Sequence, residues 1–227
     1  MMKKFTTMLL ALMFAVTMQA QKDVTTFLGI PVDGFKSEMR KKLIAKGFTP
    51  VQGDDYLDGE FNGTEVSVLS VTNNNKVYRI MLMDKYPQDE ANIKIRFNNL
   101  VSQFSNNQHY IVSKDYTIAE SEDISYEMLV HNKIYSAGYF QNPDMSKVDT
   151  LSLTKASRDK LLTKFTEEEL KNPTEELKSK INKELDAITF DIISKKKVWF
   201  KIINSYDGYR ICMYYDNEYN HANGEDL

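Results

Sequence analysis

The segment that sets the architecture of this chain reads Tyr56-Leu57-Asp58-Gly59-Glu60-Phe61-Asn62-Gly63-Thr64-Glu65-Val66-Ser67-Val68-Leu69. Asn62-Gly63 is a strong hairpin signal, because a tight type I′ turn needs positive φ at both central positions. Residues 56–61 and 64–71 are therefore predicted as paired strands. Asn73-Asn74-Asn75 predicts the next turn, and residues 76–83 alternate as a third strand. Together they form an antiparallel meander.

Amphipathic helices are predicted on both sides of this meander. Before it, an apolar set at helical spacing predicts a helix over about residues 35–46, which ends at Gly47. After it, a continuous apolar stripe begins beyond Asp89 and ends at Asn106-Asn107. Its members are Ile93, Phe97, Leu100, Val101 and Phe104.

A second group of strands follows the second helix. Residues 124–130 and 134–140 are predicted as a hairpin that turns at Asn132-Lys133, and residues 198–203 and 209–215 as another. Between these hairpins, residues 150–192 are rich in Lys and Glu and contain no Gly. Asn172-Pro173 resembles an N-cap followed by proline in the first helical position. This block is predicted to be a helical insertion folded over the sheet.

The predicted fold is α+β, an antiparallel sheet of two helix-plus-meander units with helices on one face and a helical insertion. We expect one domain over residues 21–227, with sub-units at about 27–84 and 89–215, the insertion at about 150–192 and a polar tail at 216–227. Residues 56–69 are weakly echoed by residues 126–139. The sheet face away from the helices must be solvated or bound to a partner.

The first twenty residues have the layout of a secretory signal peptide. Lys3 and Lys4 precede a short apolar run, and Ala20 supplies the small residue before a cleavage site. Cleavage would leave Gln21 as the mature N-terminus. The apolar run is too short to span a hydrocarbon core about 30 Å thick. The predicted location is therefore periplasmic or secreted.

Composition argues against several partners. The net charge is −3, and −5 without the two lysines of the leader. An acidic chain without a clustered basic face is a poor ligand for nucleic acid. No later segment reaches eighteen apolar residues, so no transmembrane segment is expected after signal removal. Cys212 is the sole cysteine and is predicted to be a small buried hydrophobe, with a reactive thiol as the alternative.

The motifs that specify chemistry are incomplete, so no catalytic residue, metal site or cofactor is predicted. Residues 29–36 lack the Lys-Ser/Thr pair of a phosphate loop. Residues 216–227 fail the EF-hand pattern, which leaves a solvated tail as the interpretation and a looser Ca²⁺ site as the alternative. Asp58 and Glu60 share one strand face and are interpreted as solvated. The three histidines, His109, His131 and His221, lie in unrelated elements.

The late aromatic residues suggest a recognition surface. If Ile211 and Met213 face the helices, Arg210 and Tyr214 project to the opposite face, joined from the neighbouring strand by Trp199 or Lys201. Tyr, Trp and Arg are the residues favoured at binding hot spots. Trp199, Arg210 and Tyr214 are therefore the candidate binding residues. The alternative is that these aromatics only complete the sheet.

Several segments resemble a group of exported proteins of Bacteroidetes bacteria to which no activity is assigned. They are residues 27–34, 57–63, 73–80 and 215–220. The element order is also similar, at the level of fold, to tandem helix-plus-sheet periplasmic domains of the β-lactamase-inhibitor-like kind. The first resemblance implies that Asp149-Thr150-Leu151 is similar to the sequon that such bacteria O-glycosylate, with Thr150 as the acceptor.

These observations favour an exported, non-enzymatic binding module whose ligand is a protein or glycan of the cell envelope. The alternative is a hydrolase that acts on envelope or glycan substrates through loop carboxylates. A glycosidase needs two carboxylates roughly 5–9.5 Å apart in a cleft, whereas a binding module needs only a shallow aromatic surface.

Overall fold

A computed structural model describes residues 23–144, 146 and 150–221, with the backbone alone for residues 150–153. The predicted signal peptide and the bond between Ala20 and Gln21 lie outside the described residues. The chain divides into two compact units. One comprises Val24–Asn142 and Thr189–Leu227, and the other includes Pro143–Ile188.

Among its described residues, the first unit contains a two-stranded and an eight-stranded sheet with three complete α-helices and a 3-10 turn at Ser194–Lys196. Its first half holds β1 (Thr26–Phe27), β2 (Ile30–Pro31), α1 (Lys36–Ala45), β3 (Thr49–Pro50), β4 (Leu57–Phe61), β5 (Thr64–Asn73) and β6 (Lys76–Asp84). Its second half holds α2 (Glu90–Ser105), β7 (Tyr110–Val112), α3 (Ile124–Val130), β8 (Ser136–Gln141), β9 (Lys197–Ser205) and β10 (Gly208–Asp216).

The large sheet has a mirrored strand order. Neighbouring strands follow β3-β4-β5-β6-β10-β9-β8-β7, and every neighbouring pair is antiparallel. Each half therefore supplies four strands, which follow α1 in the first half and α2 in the second, where α3 lies between β7 and β8. The last strands of the two halves, β6 and β10, meet at the centre. The predicted α+β class with an antiparallel sheet is confirmed.

The predicted turns of the first meander are confirmed. Asn62 and Gly63 have φ values of 54° and 73°, and Asn74 and Asn75 have φ values of 47° and 61°. Phe61 pairs directly with Thr64, so the hairpin loop has two residues. Asn and Gly tolerate this left-handed backbone better than other residues, which fixes the register of the flanking strands.

Helix α2 supplies much of the core. All five residues of its predicted stripe are buried. The Asp89 side chain accepts a hydrogen bond from the Asn92 amide and caps the helix. The Phe97 ring meets Phe200 of β9 nearly edge-on, with centroids 5.1 Å apart. Side chains of α1 and α2 join one hydrophobic cluster with the alternate residues of β5, β6, β9 and β10.

The prediction of a strand at residues 124–130 is wrong. This segment is helix α3, and β8 pairs with β7 and β9 instead. The Asp123 side chain caps the helix by accepting from the Tyr126 amide at 2.8 Å. Only Ile124 of α3 is buried. The Asp123 cap and the burial of Ile124 thus outweigh the alternating pattern of this segment. The predicted similarity between residues 56–69 and 126–139 is wrong for the same reason.

The second unit is helical. It contains α4 (Thr150–Leu162), α5 (Glu167–Lys171) and most of α6 (Glu175–Ile193). Thr166 and Glu169 form a capping box at the start of α5. Helix α6 begins after Thr174 rather than at the predicted Asn172-Pro173, because the Thr174 hydroxyl accepts from the Leu177 amide. Within the described residues, no helix is both long and apolar enough to cross a membrane.

Candidate functional site

The eight-stranded sheet has an outer face, which we define by Leu69, Arg79, Met81, Met83, Trp199, Lys201, Tyr214 and Asp216. These residues alternate with the core residues of β5, β6, β9 and β10. Since successive side chains of a strand point to opposite sides, they project away from the core that contains α1 and α2. Cross-strand pairing places Tyr214 between Met81 and Trp199.

Two predicted binding residues meet at the middle of this face. The rings of Trp199 and Tyr214 are stacked with centroids 4.1 Å apart and planes 18° from parallel. Both side chains are half-buried. Because side chains stand roughly perpendicular to a sheet, neighbouring rings that stack in this way present their edges outward. The structure therefore brings Trp199 and Tyr214 together as one aromatic pair.

An ion pair fixes the base of the aromatic pair. Arg79 contacts Asp216 through Nε to Oδ1 at 2.5 Å and through Nη2 to Oδ2 at 3.0 Å. The Trp199 indole N–H donates to Oδ2 of the same carboxylate at 2.8 Å. The guanidinium also lies 4.9 Å from the Tyr214 centroid, within cation–π range. We call Arg79, Trp199, Tyr214 and Asp216 the aromatic–ion cluster.

Hydrogen bonds and burial shift the pKa values of two members of the cluster, Arg79 and Tyr214. The hydrogen bonds to Asp216 raise the pKa of Arg79. Burial, followed by a hydrogen bond with Cys212, raises the pKa of the Tyr214 phenol far above its usual range. Tyr214 is therefore neutral and Arg79 charged at physiological pH. Cys212 is buried, as predicted, and burial raises the pKa of its thiol. A thiol held in its protonated form is a poor nucleophile.

Arg210, the third predicted binding residue, lies apart from the cluster. Its guanidinium donates to Asp207 at 2.7 and 2.6 Å and to the Ser205 hydroxyl at 2.6 Å, all within its own hairpin. The hydrogen bonds from Arg210 to the Asp207 carboxylate are the main cause that lowers the pKa of Asp207 to about 2. The structure thus assigns Arg210 to the β9–β10 turn. Lys201 is half-buried on the outer face and pairs across the strands with Cys212.

Arg79 and Asp216 were not among the predicted site residues. The sequence predicts Asp216 as the first residue of a polar tail, but it is the last residue of β10 and is only 2% exposed. The position of Arg79 on this face is indicated by its alternation with Ile80 and Leu82 in β6. Its partner could be found only by knowing that β6 and β10 pair at the centre of the sheet.

The first residues of the predicted solvated tail are structural. Asn217 is fully buried, and its side chain donates to the Val32 carbonyl at 2.7 Å. Asn220 donates to the Asp33 side chain and to the Val77 carbonyl. Two of the amide side chains considered as Ca²⁺ ligands, Asn217 and Asn220, thus join this segment to the loop after β2 and to β6. Residues 222–227 lie outside the described residues.

Several carboxylates among the described residues are held in ion pairs. The two buried ones, Asp84 and Asp216, each face an arginine, with Arg96 2.6 Å from Asp84. Asp58 accepts from Ser67 and pairs with Lys85, whose hydrogen bond lowers the pKa of Asp58. In the part of the chain that the structure describes, no three His, Cys, Asp or Glu side chains are grouped to hold a metal ion.

Comparison of the chain with protein-family models, with curated proteins and with solved structures gave no match. The two resemblances inferred from the sequence therefore stay predictions.

Proposed function

We propose that this protein is exported and acts as a non-enzymatic binding module, which recognises an acidic protein partner through the outer face of the sheet. The observation that carries the proposal is the half-buried Trp199–Tyr214 stack, fixed by Arg79 and Asp216 on the side of the sheet opposite the core residues of α1 and α2. Aromatic residues and arginine dominate the energetics of protein interfaces.

The geometry of the rings favours a protein over a glycan. A sugar-binding platform offers the flat face of an aromatic ring to the sugar. Here Trp199 and Tyr214 cover one face of each other. Lys197 Nζ lies 5.3 Å from the Trp199 centroid, and Arg79 lies over the Tyr214 ring. What remains exposed is ring edges beside Met81 and Met83, a surface that suits the irregular relief of a protein.

The charge of the outer face favours an acidic partner. Lys197 and Lys201 flank Trp199 on β9. Among the described residues, neither lysine is ion-paired with a carboxylate, whereas Arg79 is neutralised by Asp216. The chain as a whole is acidic. A local excess of positive charge on an acidic protein steers a partner of opposite charge to this face.

The test uses affinity capture from envelope extract, followed by binding measurements with the purified partner. Lys201→Glu reverses the charge beside the aromatic pair, and Trp199→Phe removes the indole edge while it keeps an aromatic ring. Lys183→Glu makes the same charge change on the exposed surface of α6 and serves as the control.

We expect the partner to be retained by wild type and by Lys183→Glu, and its affinity to fall at least tenfold in Lys201→Glu. Trp199→Phe should weaken binding as well. If folded Lys201→Glu and Trp199→Phe variants keep every partner at wild-type affinity, the outer face is not the binding surface. In that case the aromatic–ion cluster only stabilises the sheet.

A further inference from the structure

A second candidate site lies on the helical side of the large sheet. A groove of about 310 Å³ is lined by residues of α2, the preceding loop and the β4–β5 hairpin. Its lining residues are Asn62, Thr64, Gln88, Asn92, Ile95, Arg96, Asn99, Leu100 and Gln103. We call it the amide groove. Its volume is at the lower end of the range for small-molecule sites, about 300–1,000 Å³.

The α2 wall of the groove is a single stripe of the helix. Asn92, Ile95, Arg96, Asn99 and Gln103 follow one another at i, i+3, i+4, i+7 and i+11. Residues at these spacings share one side of a helix. The apolar stripe of α2 faces the core, so this second stripe is free to line a surface groove.

The groove is polar and electrically neutral. Five of its nine lining residues are Asn or Gln, and none is Asp, Glu or Lys. Its one charged residue, Arg96, is neutralised by two hydrogen bonds to the buried Asp84, at 2.7 and 2.6 Å. A carboxamide offers two donor hydrogens and an acceptor oxygen. The lining can therefore donate and accept hydrogen bonds but has no net charge to attract a charged ligand.

Several of these groups are available for a ligand. Within the part of the chain that the structure describes, no hydrogen bond engages the side chains of Gln88 or Asn99, or Nη1 of Arg96. Asp84 holds the guanidinium in place through its other two nitrogens. The Asn92 amide is oriented by Asp89 at 3.0 Å, and Asn62 donates to Gln103. The groove thus combines fixed and free polar groups.

We propose that the amide groove binds a neutral oligosaccharide. A sugar hydroxyl both donates and accepts hydrogen bonds, and a carboxamide side chain can also do both. Ile95, 59% exposed, supplies an apolar contact for the C–H face of a sugar ring. An apolar ligand would desolvate the carboxamides without replacing their hydrogen bonds, which is costly. An anionic ligand would find only a guanidinium that Asp84 has already neutralised.

An extended peptide fits the groove less well. Peptide recognition draws specificity from pockets for side chains. The second apolar lining residue, Leu100, is 1% exposed and belongs to the core. The groove therefore has polar walls and one exposed apolar residue, with no apolar pocket for a side chain to fill.

The experiment is an NMR titration of the full mature chain labelled with ¹⁵N. The probes are cellotetraose, mannotetraose and tetra-N-acetylchitotetraose, with tetragalacturonate as the anionic comparison. We expect at least one neutral tetrasaccharide to shift the side-chain NH₂ signals of Gln88, Asn92 and Asn99. The backbone signals of the outer face, including Trp199 and Tyr214, should stay unchanged, so this test is independent of the proposed function.

Matched variants decide whether the groove is the binding site. Gln88→Ala/Asn99→Ala should lower the affinity at least tenfold. Asn99→Asp, which keeps the side-chain size but loses the donors, should lower it as well. Asn182→Ala removes an exposed helical carboxamide outside the groove and should change nothing.

Three results would overturn the proposal. They are the absence of a response to all three neutral sugars, a preference for tetragalacturonate, and unchanged affinity in the double variant. Binding of an unstructured peptide with the same NH₂ shifts, and no response to sugars, would assign the groove to peptides instead.

Discussion

The indole N–H of Trp199 donates to Oδ2 of Asp216, the same carboxylate oxygen that accepts from Nη2 of Arg79. One buried carboxylate thereby orients both the aromatic pair and its neighbouring cation. Asp216 is the last residue of β10, and Arg79 lies opposite it in β6. The central strand pairing of the sheet and the geometry of the candidate binding face therefore depend on one another.

Replacing Asp216 by Asn should destabilise the protein. The amide keeps the shape of the side chain but leaves the Arg79 guanidinium without its counter-charge. Removing one partner of a buried ion pair costs about 3–5 kcal/mol, and we expect about 2–4 kcal/mol here because Arg79 is partly exposed. Urea unfolding measures the free energy of unfolding, with Trp199 as the single tryptophan reporter.

Asp207→Asn is the control for that measurement. Asp207 is also ion-paired with an arginine, but in an exposed turn, so its loss should change the stability much less. Equal effects of the two substitutions would show that the buried pair contributes nothing beyond an ordinary surface contact.

Replacing Gly59 by Ala should also destabilise the protein, by about 1–3 kcal/mol through overpacking. A Cβ at Gly59 would lie 2.5 Å from Cδ1 of Phe48, which is buried and unable to give way easily. Gly138 in β8 offers a matched control, because the nearest atom to its Cβ would be 3.7 Å away. Thermal unfolding of both variants checks the prediction, which fails if Gly138→Ala is the more damaging change.

The pKa of Asp207 predicts a pH dependence of the β9–β10 turn. Arg210 lowers that pKa to about 2, from an ordinary value of about 3.9. Because the folded-state pKa is depressed, the contribution of this pair is present above about pH 4 and is lost as the pH falls toward 2. A carboxyl NMR titration should show the low midpoint. Arg210→Gln should move it up toward 3.9, and an unchanged midpoint would exclude Arg210 as the cause.

The parts of the fold that could be predicted from the sequence are those specified by local chemistry. The Asn62-Gly63 turn and the stripe from Ile93 to Phe104 are both present as expected. Helix α3 was missed because Asp123 acts as a cap for an otherwise alternating segment. The Arg79–Asp216 pair joins residues 137 positions apart, and no local pattern specifies which distant strands meet.

In the candidate site too, features set by local sequence could be predicted and features set by distant contacts could not. Alternation in β9 and β10 correctly separates Trp199 and Tyr214 from the buried Phe200 and Met213, so their shared face could be predicted. The role of Arg210 could not, since its engagement by Asp207 depends on the conformation of the turn. The amide groove could not be predicted from the sequence either, because its walls come from α2 and from a hairpin distant in sequence.

Export makes a prediction about the mature N-terminus. If residues 1–20 are a signal peptide, protein purified from the cell envelope or medium of its native host should begin at Gln21. N-terminal sequencing, or mass spectrometry of the N-terminal peptide, checks this directly. Lys3→Glu/Lys4→Glu removes the basic start of the leader and should cause unprocessed precursor to accumulate. An intact Met1 in the cytosolic fraction would contradict the prediction.

Thr150 is the final residue for which the sequence implies a modification. It is the first residue of α4, at the start of the helical unit, and the preceding Asp149 lies outside the described residues. If the resemblance to exported Bacteroidetes proteins holds, Thr150 carries an O-linked glycan in the native host. The intact mass of the native protein should then exceed the sequence mass by the glycan, and Thr150→Ala should abolish the excess. Thr154→Ala, a change on the next turn of α4, should leave the excess mass in place. Native and Thr150→Ala masses that differ only by the substitution would rule out the modification and weaken the resemblance that implied it.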